Sequence, residues 1–215
     1  MELEYIKPAE IEARSMEIID GELADRGITL DEKKAPFVKR AIHTSADFEY
    51  ADTLCFSDGA IDQLKALLRA GAHIVTDTSM AFSGINKTMI HSLGGDTHCF
   101  IDKPDINYAA HDLGVTRSSL CMTYAMRNIE GPIIFVVGNA PTALVAIREK
   151  YDKGEYKPAF VIGVPVGFVN VVQSKELIME TDIPYIINRG RKGGSNVAAA
   201  LVNAALYEIR KEQNN

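Results

Sequence analysis

The chain has 215 residues and a mass of 23.6 kDa, enough for one well-buried α/β domain, and we expect a single domain over residues 1–215. Its formal net charge of -6 and pI near 5.4 argue against nucleic acid or an anionic membrane as a partner. The sequence has no apolar signal core and no window with the roughly 18 apolar residues of a membrane span. A cytoplasmic location is therefore expected.

Two helices are predicted in the first part of the chain. The first follows Pro8, which suits an opening turn, and in it Arg14 lies four residues after Glu10, so a surface ion pair is its simplest role. The second covers residues 30–42 and is followed by His43. A histidine at the C-terminus of a helix is usually solvated there and suits the helix dipole. The alternative for His43 is a proton donor or acceptor.

Residues 59–70 have helical spacing, and the next run, 72–78, predicts a short strand that ends in a turn. Asp77 and Thr78 in this turn either cap a following helix or face a ligand, and capping is the more common role. Residues 98–101 predict another short strand.

Helices are next predicted over residues 108–114 and 116–128. Thr116 suits the N-cap of the second, and Arg117 then stands in its first turn, where a positive charge opposes the helix dipole. Such a misfit indicates either a functional residue or an arginine that an acidic neighbour neutralises.

Three strand-turn-helix units follow between Gly131 and Ser195. Each starts with an uninterrupted Val/Ile/Phe-rich run, which is typical of strands buried on both faces in a parallel sheet covered by helices. Ligands of such sheets bind beyond the carboxyl ends of the strands, so the three glycine-rich loops after these strands are candidate binding loops. They span residues 138–142, 163–170 and 188–195.

The chemistry of these loops favours a large anionic ligand with apolar parts. The free amides at the start of the helix after Gly138 predict an anion site, and the third loop contains Arg189, Arg191 and Lys192. The turns VGNAP and GVPVGFV are apolar.

Several familiar site types are not indicated. The sequence lacks the dinucleotide, P-loop, zincin and α/β-hydrolase motifs. Its three cysteines are widely spaced, as expected of reduced thiols, and His91, His98 and Cys99 are too irregular for a metal site.

Seven segments together resemble the precorrin-8X methylmutase family, also called cobalt-precorrin-8 methylmutase, and cover nearly the whole chain. They are EIEARSMEII, KRAIHTSADFEYAD, IVTDTSMAFSGI, TRSS, VVGNAPTAL, KPAFVIGVPVGFVNVVQSKE and IPYIINRGRKGGSNVAAALVNA. The resemblance implies a three-layer α/β/α sandwich around a mainly parallel, Rossmann-like sheet. It also implies a homodimer with its active site near the interface.

The implied reaction is an isomerisation in cobalamin biosynthesis, in which a methyl group moves from ring carbon 11 to ring carbon 12 of a corrinoid tetrapyrrole by a 1,5-sigmatropic shift. It implies no cofactor, methyl donor or protein-bound metal. His43 matches the family's proton donor or acceptor, and Ser15 and Arg40 match positions that contact substrate. The remaining candidate substrate contacts are Arg14, Thr78, Arg117, Arg191 and Lys192.

Two other functions remain open from the residues. One is a non-catalytic corrinoid-binding carrier that holds the product for a following enzyme. The other is a small phosphosugar isomerase, which the glycine-rich loops and one histidine would also suit.

Overall fold

A six-stranded β-sheet forms the middle layer of the computed structural model, which describes residues 3–214. The strands are β1 (Leu54–Phe56), β2 (His73–Thr76), β3 (Thr97–Cys99), β4 (Ile133–Val137), β5 (Phe160–Gly163) and β6 (Tyr185–Asn188). Their spatial order is β1-β6-β5-β4-β2-β3. All neighbouring strands are parallel except β1, which runs antiparallel to β6.

Helices cover both faces of this sheet. They are α1 (Ile11–Asp25), α2 (Ala35–Ser45), α3 (Tyr50–Thr53), α4 (Ala60–Arg69), α5 (Ser79–Gly84), α6 (Lys87–Ser92), α7 (Pro104–Leu113), α8 (Arg117–Asn128), α9 (Pro141–Asp152), α10 (Val171–Met179) and α11 (Ser195–Asn214), with a short 3₁₀ helix, Pro8–Glu10, before α1. Core residues of α1, α2, α4, α6 and α11 pack on one face, and those of α7 to α10 pack on the other. The predicted three-layer α/β/α sandwich around a mainly parallel sheet is confirmed.

Strand β4 shows why the central strands have no polar alternation. Its side chains alternate between the two cores: Ile134 and Val136 join one, while Ile133, Phe135 and Val137 join the other, and all five are fully buried. Because helices cover both faces of a parallel sheet, both sides of the strand must be apolar.

The sheet reverses its order between β2 and β4. The chain leaves β2 for β3 on one side and then crosses to β4 on the other side of β2. In open α/β sheets, the crevice at the carboxyl ends of two such strands is the usual ligand site. Here that crevice lies between Asp77, which follows β2, and Gly138, which follows β4.

Strands β1 and β6 are also joined by two hydrogen bonds at the end of their ladder. The Thr53 hydroxyl donates to Asn188 Oδ1 at 2.7 Å, and the Arg189 amide donates to the Thr53 carbonyl at 2.8 Å. The segment between α2 and β1 is therefore attached to the start of the loop that follows β6.

Some predicted boundaries were wrong. Helix α2 begins at Ala35, with Pro36 in its first turn, and extends to Ser45, so His43 lies within its last turn and not after it. Helix α7 begins at Pro104, four residues before the predicted start, because proline suits the first turn of a helix. Strand β1 and the helices α3 and α6 were not predicted, and α5 was predicted only as the helix that Asp77 or Thr78 would cap.

None of the helices in residues 3–214 has both the length and the apolar composition needed to cross a bilayer.

Candidate active site

A cavity of about 310 Å³ lies between α2, α5 and α11, on the helical layer that contains α1. Its wall includes Arg40 and His43 of α2, together with residues that the sequence did not indicate. The full lining is Arg40, His43, Thr44, Met80, Gly84, Asn196, Ala199, Ala200, Asn203 and Tyr207.

Helix α11 provides half of this lining. Its residues 196, 199, 203 and 207 follow one another at spacings of three or four, which places them on one face of a helix, and residue 200 lies four after 196 and three before 203 on the same face. Small side chains on this face let α5 approach closely, and a Cβ built on Gly84 would lie 2.9 Å from the Ala199 Cβ. Asn203 fixes the approach by donating from Nδ2 to the Gly84 carbonyl at 2.9 Å.

His43 is exposed in the last turn of α2, where the helix ends at Ala46 in a left-handed conformation (φ 55°). The neighbouring hydroxyl of Ser45 bonds to nearby backbone and not to His43: its Oγ donates to the Ala41 carbonyl at 2.7 Å and accepts from the Asp47 amide. Within residues 3–214, the His43 imidazole makes no hydrogen bond or ion pair. Both ring nitrogens are thus open to a ligand in the cavity.

Arg40 lies one turn before His43 and is held from two sides. Its Nη2 is 2.7 Å from Glu12 Oε1 of α1, and its guanidinium carbon lies 5.0 Å from the centre of the Tyr207 ring. The guanidinium is therefore fixed at the cavity wall.

Arg14 and Ser15 lie on α1 and do not line the cavity. The predicted ion pair of Arg14 with Glu10 was wrong, because Arg14 instead bonds to Glu4 at 3.0 Å and to Glu17 at 3.3 Å. These contacts raise the pKa of Arg14. The Ser15 hydroxyl donates to the Ile11 carbonyl of its own helix at 2.9 Å.

Thr78 is the N-cap of α5, as the more common of its two roles predicted: its Oγ1 accepts from the Ala81 amide at 3.1 Å. The same hydroxyl lies 2.8 Å from Ser195 Oγ at the start of α11. Thr78 thereby joins two of the helices that enclose the cavity.

Asp77 fills the crevice between β2 and β4. Its carboxylate is fully buried and accepts from the amides of Gly138, Asn139 and Ala140 at 2.7 to 2.8 Å. Burial raises the pKa of Asp77, and the hydrogen bonds from these amides act in the opposite direction. The anion site predicted at the start of α9 is present, but the chain's own carboxylate occupies it.

The loop after β6 connects to the segment after His43. Lys192 Nζ lies 2.6 Å from Asp47 Oδ2 and 2.8 Å from Glu49 Oε2, and these carboxylates raise its pKa. Arg191 is exposed, and its guanidinium carbon lies 5.4 Å from the centre of the Phe168 ring, which is itself 82% exposed. Arginine and aromatic side chains thus meet at the outer rim of the sheet edge.

Arg117 lies on the other helical layer, in the first turn of α8. Of the two alternatives for Arg117, the acidic neighbour is not found: in the described part of the chain its partner is the Asn107 side-chain oxygen, 3.4 Å from Nη1. A larger cavity of about 510 Å³ lies nearby, between α8 and α9, and is lined by none of the predicted site residues.

Comparison with known proteins agrees with the resemblance seen in the sequence. A model of the precorrin-8X methylmutase family matches residues 10–208. A cobalt-precorrin-8 methylmutase from Salmonella typhimurium is 46% identical over 81% of this chain and 81% of its own. A precorrin-8X methylmutase from Pseudomonas aeruginosa is 37% identical, over 96% of this chain and 99% of its own.

The crystal structure described as precorrin-8x methyl mutase from Thermus thermophilus superposes with a TM-score of 0.83 at 34% identity, covering 94% of this chain and 98% of that one. The chain belongs to the precorrin-8X methylmutase family. Membership confirms the isomerase class and the place in cobalamin biosynthesis that the resemblance implied.

Among the residues proposed for the methylmutase site, Arg40 and His43 share one cavity. Thr78 and Lys192 do not line it: Thr78 bonds to Ser195, next to the lining residue Asn196, and Lys192 bonds to Asp47, four residues after His43. Sequence reasoning missed the face of α11. The spacing of Asn196, Asn203 and Tyr207, with alanines between them, was a usable signal, because polar residues recurred on one side of an otherwise apolar helix.

The loop after β6, residues 188–195 and called the rim loop below, is packed tightly at Gly193. We expect Gly193→Ala to lower the free energy of unfolding by roughly 3 kcal/mol, because a Cβ there would lie 2.0 Å from the Val164 carbonyl oxygen and φ is 157°. Gly190→Ala is the matched control: φ is 76° and a Cβ would meet nothing within 4 Å, so a loss of about 1 kcal/mol is expected. Urea unfolding of both variants measures the difference. Equal losses would contradict it.

Proposed function

We propose that this chain converts a precorrin-8 or cobalt-precorrin-8 substrate by moving the methyl group from ring carbon 11 to ring carbon 12. The observation that carries the proposal is the imidazole of His43, which is open to a cavity and has no partner within residues 3–214. It lies in KRAIHTSADFEYAD, one of the segments by which the sequence resembles the family. The family membership of the chain supports the reaction, and the position of His43 supports its role.

A methyl shift within one molecule needs neither a nucleophile nor a group donor. His43 delivers a proton to the macrocycle or removes one from it, which redistributes the π-electrons of the macrocycle and lowers the barrier to the methyl shift. Binding the macrocycle in its reactive tautomer and geometry lowers the barrier further. Since the imidazole has no hydrogen-bond partner among residues 3–214, no side chain of these residues competes with the substrate for this proton.

The cationic groups around the cavity suit the carboxylates of such a substrate. Arg40 lines the same cavity as His43 and lies three residues before it on α2, and Arg191 lies beside exposed Phe168. An arginine fork binds carboxylates well, and an aromatic ring provides an apolar surface for a macrocycle. Ser15, Arg14, Thr78, Arg117 and Lys192 remain proposed contacts.

We further propose a homodimer with the active site near the interface. A tetrapyrrole is larger than the drug-sized ligands that fill pockets of about 300 to 1,000 Å³, so the cavity of about 310 Å³ accommodates only part of it. Met80 exposes apolar surface at the cavity, and Phe168 and Val169 expose more on the loop after β5. Sedimentation velocity tests this proposal: a dimer is expected at micromolar concentration, and a monomer at all concentrations would contradict it.

The single-domain organisation and the cytoplasmic location also remain proposals. The family match over residues 10–208 supports the first, and the three free cysteines support the second.

Metal-free and cobalt-loaded substrate, supplied in parallel, test the function. We expect the absorption spectrum of at least one to change to that of the rearranged corrinoid, with no added cofactor or methyl donor. The macrocycle itself holds the cobalt, so both forms of the substrate can be assayed with the same protein. The form that is converted faster is the preferred substrate. Tight product binding without acceleration of either reaction would overturn the proposal in favour of a carrier.

A further inference from the structure

Lys175 is a buried lysine of α10 that the reaction described above does not use. It is 0% exposed, and in residues 3–214 it has no carboxylate partner. Its Nζ instead donates to two backbone carbonyls, of Gly190 at 2.8 Å and of Lys192 at 2.9 Å. Burial lowers the pKa of Lys175 to about 8. Burying an amine costs free energy of folding even when it is hydrogen-bonded. We therefore asked what the two bonds of Lys175 achieve.

Both carbonyls belong to the loop that contains Arg191. The Arg191 carbonyl between them accepts from the Gly167 amide at 3.1 Å, and Asn188 Nδ2 donates to the Lys192 carbonyl at 3.0 Å. The carbonyls of Gly190 and Lys192 are thus held by the buried side chains of Lys175 and Asn188, and the Arg191 carbonyl is held by the loop after β5. The Arg191 side chain is exposed and lies over Phe168. Two buried side chains therefore fix the backbone on both sides of Arg191.

We propose that Lys175 is a positioning residue, which holds the backbone of Gly190–Lys192 so that Arg191 meets a substrate carboxylate. The inference rests on the proposed function, because it assigns Arg191 to substrate. The same bonds place Lys192 beside Asp47 at 2.6 Å, four residues after His43, so the loop and the segment that bears the imidazole share one arrangement. Lys175 touches no substrate and acts through Arg191.

A methionine at this position keeps the length and the apolar stem of the side chain but leaves both carbonyls without their donor. We expect Lys175→Met to loosen the loop while the rest of the fold is retained. Limited digestion with trypsin reports on it directly, because Arg189, Arg191 and Lys192 are cleavage sites within the loop. Cleavage there should accelerate about tenfold or more over wild type.

Lys65→Met is the matched control for digestion. Lys65 is also largely buried, with 14% of its side chain exposed, but its Nζ bonds to Glu212 at 2.7 Å, away from the loop. Cleavage between residues 189 and 192 should stay at the wild-type rate in this variant. If the loop of Lys175→Met is as resistant as wild type, the positioning role is overturned.

Kinetics then separate positioning from stability. Lys175→Met should raise KM for the corrinoid about tenfold and change kcat less than threefold, since an arginine bound to a distant carboxylate contributes equally to ground and transition states. In an Arg191→Ala background, the same change should add less than about threefold to KM, because the residue it acts through is gone. Fully additive effects would overturn the proposal.

A second variant keeps the test decisive if the methionine variant does not fold. Lys175→Gln retains an N–H donor without a buried charge, and it should give digestion and KM values between those of wild type and a fully loosened loop. A glutamine variant whose loop is digested faster while its KM stays at the wild-type value would overturn the proposal, because the loop would then be loosened without any effect on substrate binding. Absence of a methyl shift in the wild type would instead refute the proposed function, and the digestion result would still decide how the loop is held.

Discussion

Replacing His43 with alanine is expected to lower kcat by about 10²- to 10⁴-fold, the range in which a positioned acid-base group contributes. The fold should be unaffected, because the imidazole is exposed and makes no hydrogen bond in the described chain. Initial rates on the corrinoid substrate measure the first effect, and the midpoint of urea unfolding measures the second. Binding of the substrate should change by less than about tenfold, since Arg40 and the rim loop are retained.

His111→Ala is the control for this experiment. His111 also lies in the last turn of a helix, α7, and its side chain is 90% exposed. It lies outside the cavity, so its replacement should leave kcat unchanged. A His43→Ala variant that turns over at more than a tenth of the wild-type rate would refute the acid-base assignment.

The second large effect is expected at Asp77. Asp77→Asn has nearly the same shape, but it replaces one acceptor oxygen with an NH₂ group that faces backbone amides of the loop after β4. We expect a loss of roughly 3 kcal/mol in the free energy of unfolding, because a buried charged acceptor is removed and amides such as that of Gly138 are left without a partner. Urea denaturation measures this loss.

Asp102→Asn serves as the matched control. Asp102 follows the neighbouring strand β3, but its carboxylate is exposed and accepts from the Ser79 hydroxyl at 2.6 Å. Solvent can replace that contact, so a change below about 1 kcal/mol is expected. If Asp77→Asn were no more destabilising than this control, the carboxylate would not be what holds the crevice closed.

The central sheet was predictable because β4, β5 and β6 are buried on both faces, and their sequences show it. Strand β1 was not predictable, because three residues are too few to show the alternating pattern of a strand. It exists only through its antiparallel pairing with β6. The helices α5 and α6 have six residues each, too few to show a helical period in the sequence.

The site was predictable in part for a similar reason. His43 stands in a long segment by which the sequence resembles a known family, and its place at a helix end follows from local spacing. The partners of Asp77 and Lys175 are not local: Asp77 binds an amide 61 residues away, and Lys175 binds carbonyls 15 and 17 residues away. Such pairs depend on how the strands are ordered, which spacing along the chain does not encode.

The attachment of β1 to β6 bears on how a bulky ligand enters. Thr53 and Asn188 bond across these strands, so the segment after His43 and the loop containing Arg191 are carried on adjacent parts of one ladder. Because the ladder and these bonds already join the two segments, we expect their separation to change little when a ligand binds. Little ordering entropy would then be lost at these groups on binding. An opening that admits a macrocycle would depend instead on segments outside this ladder, such as α5, which lines the cavity.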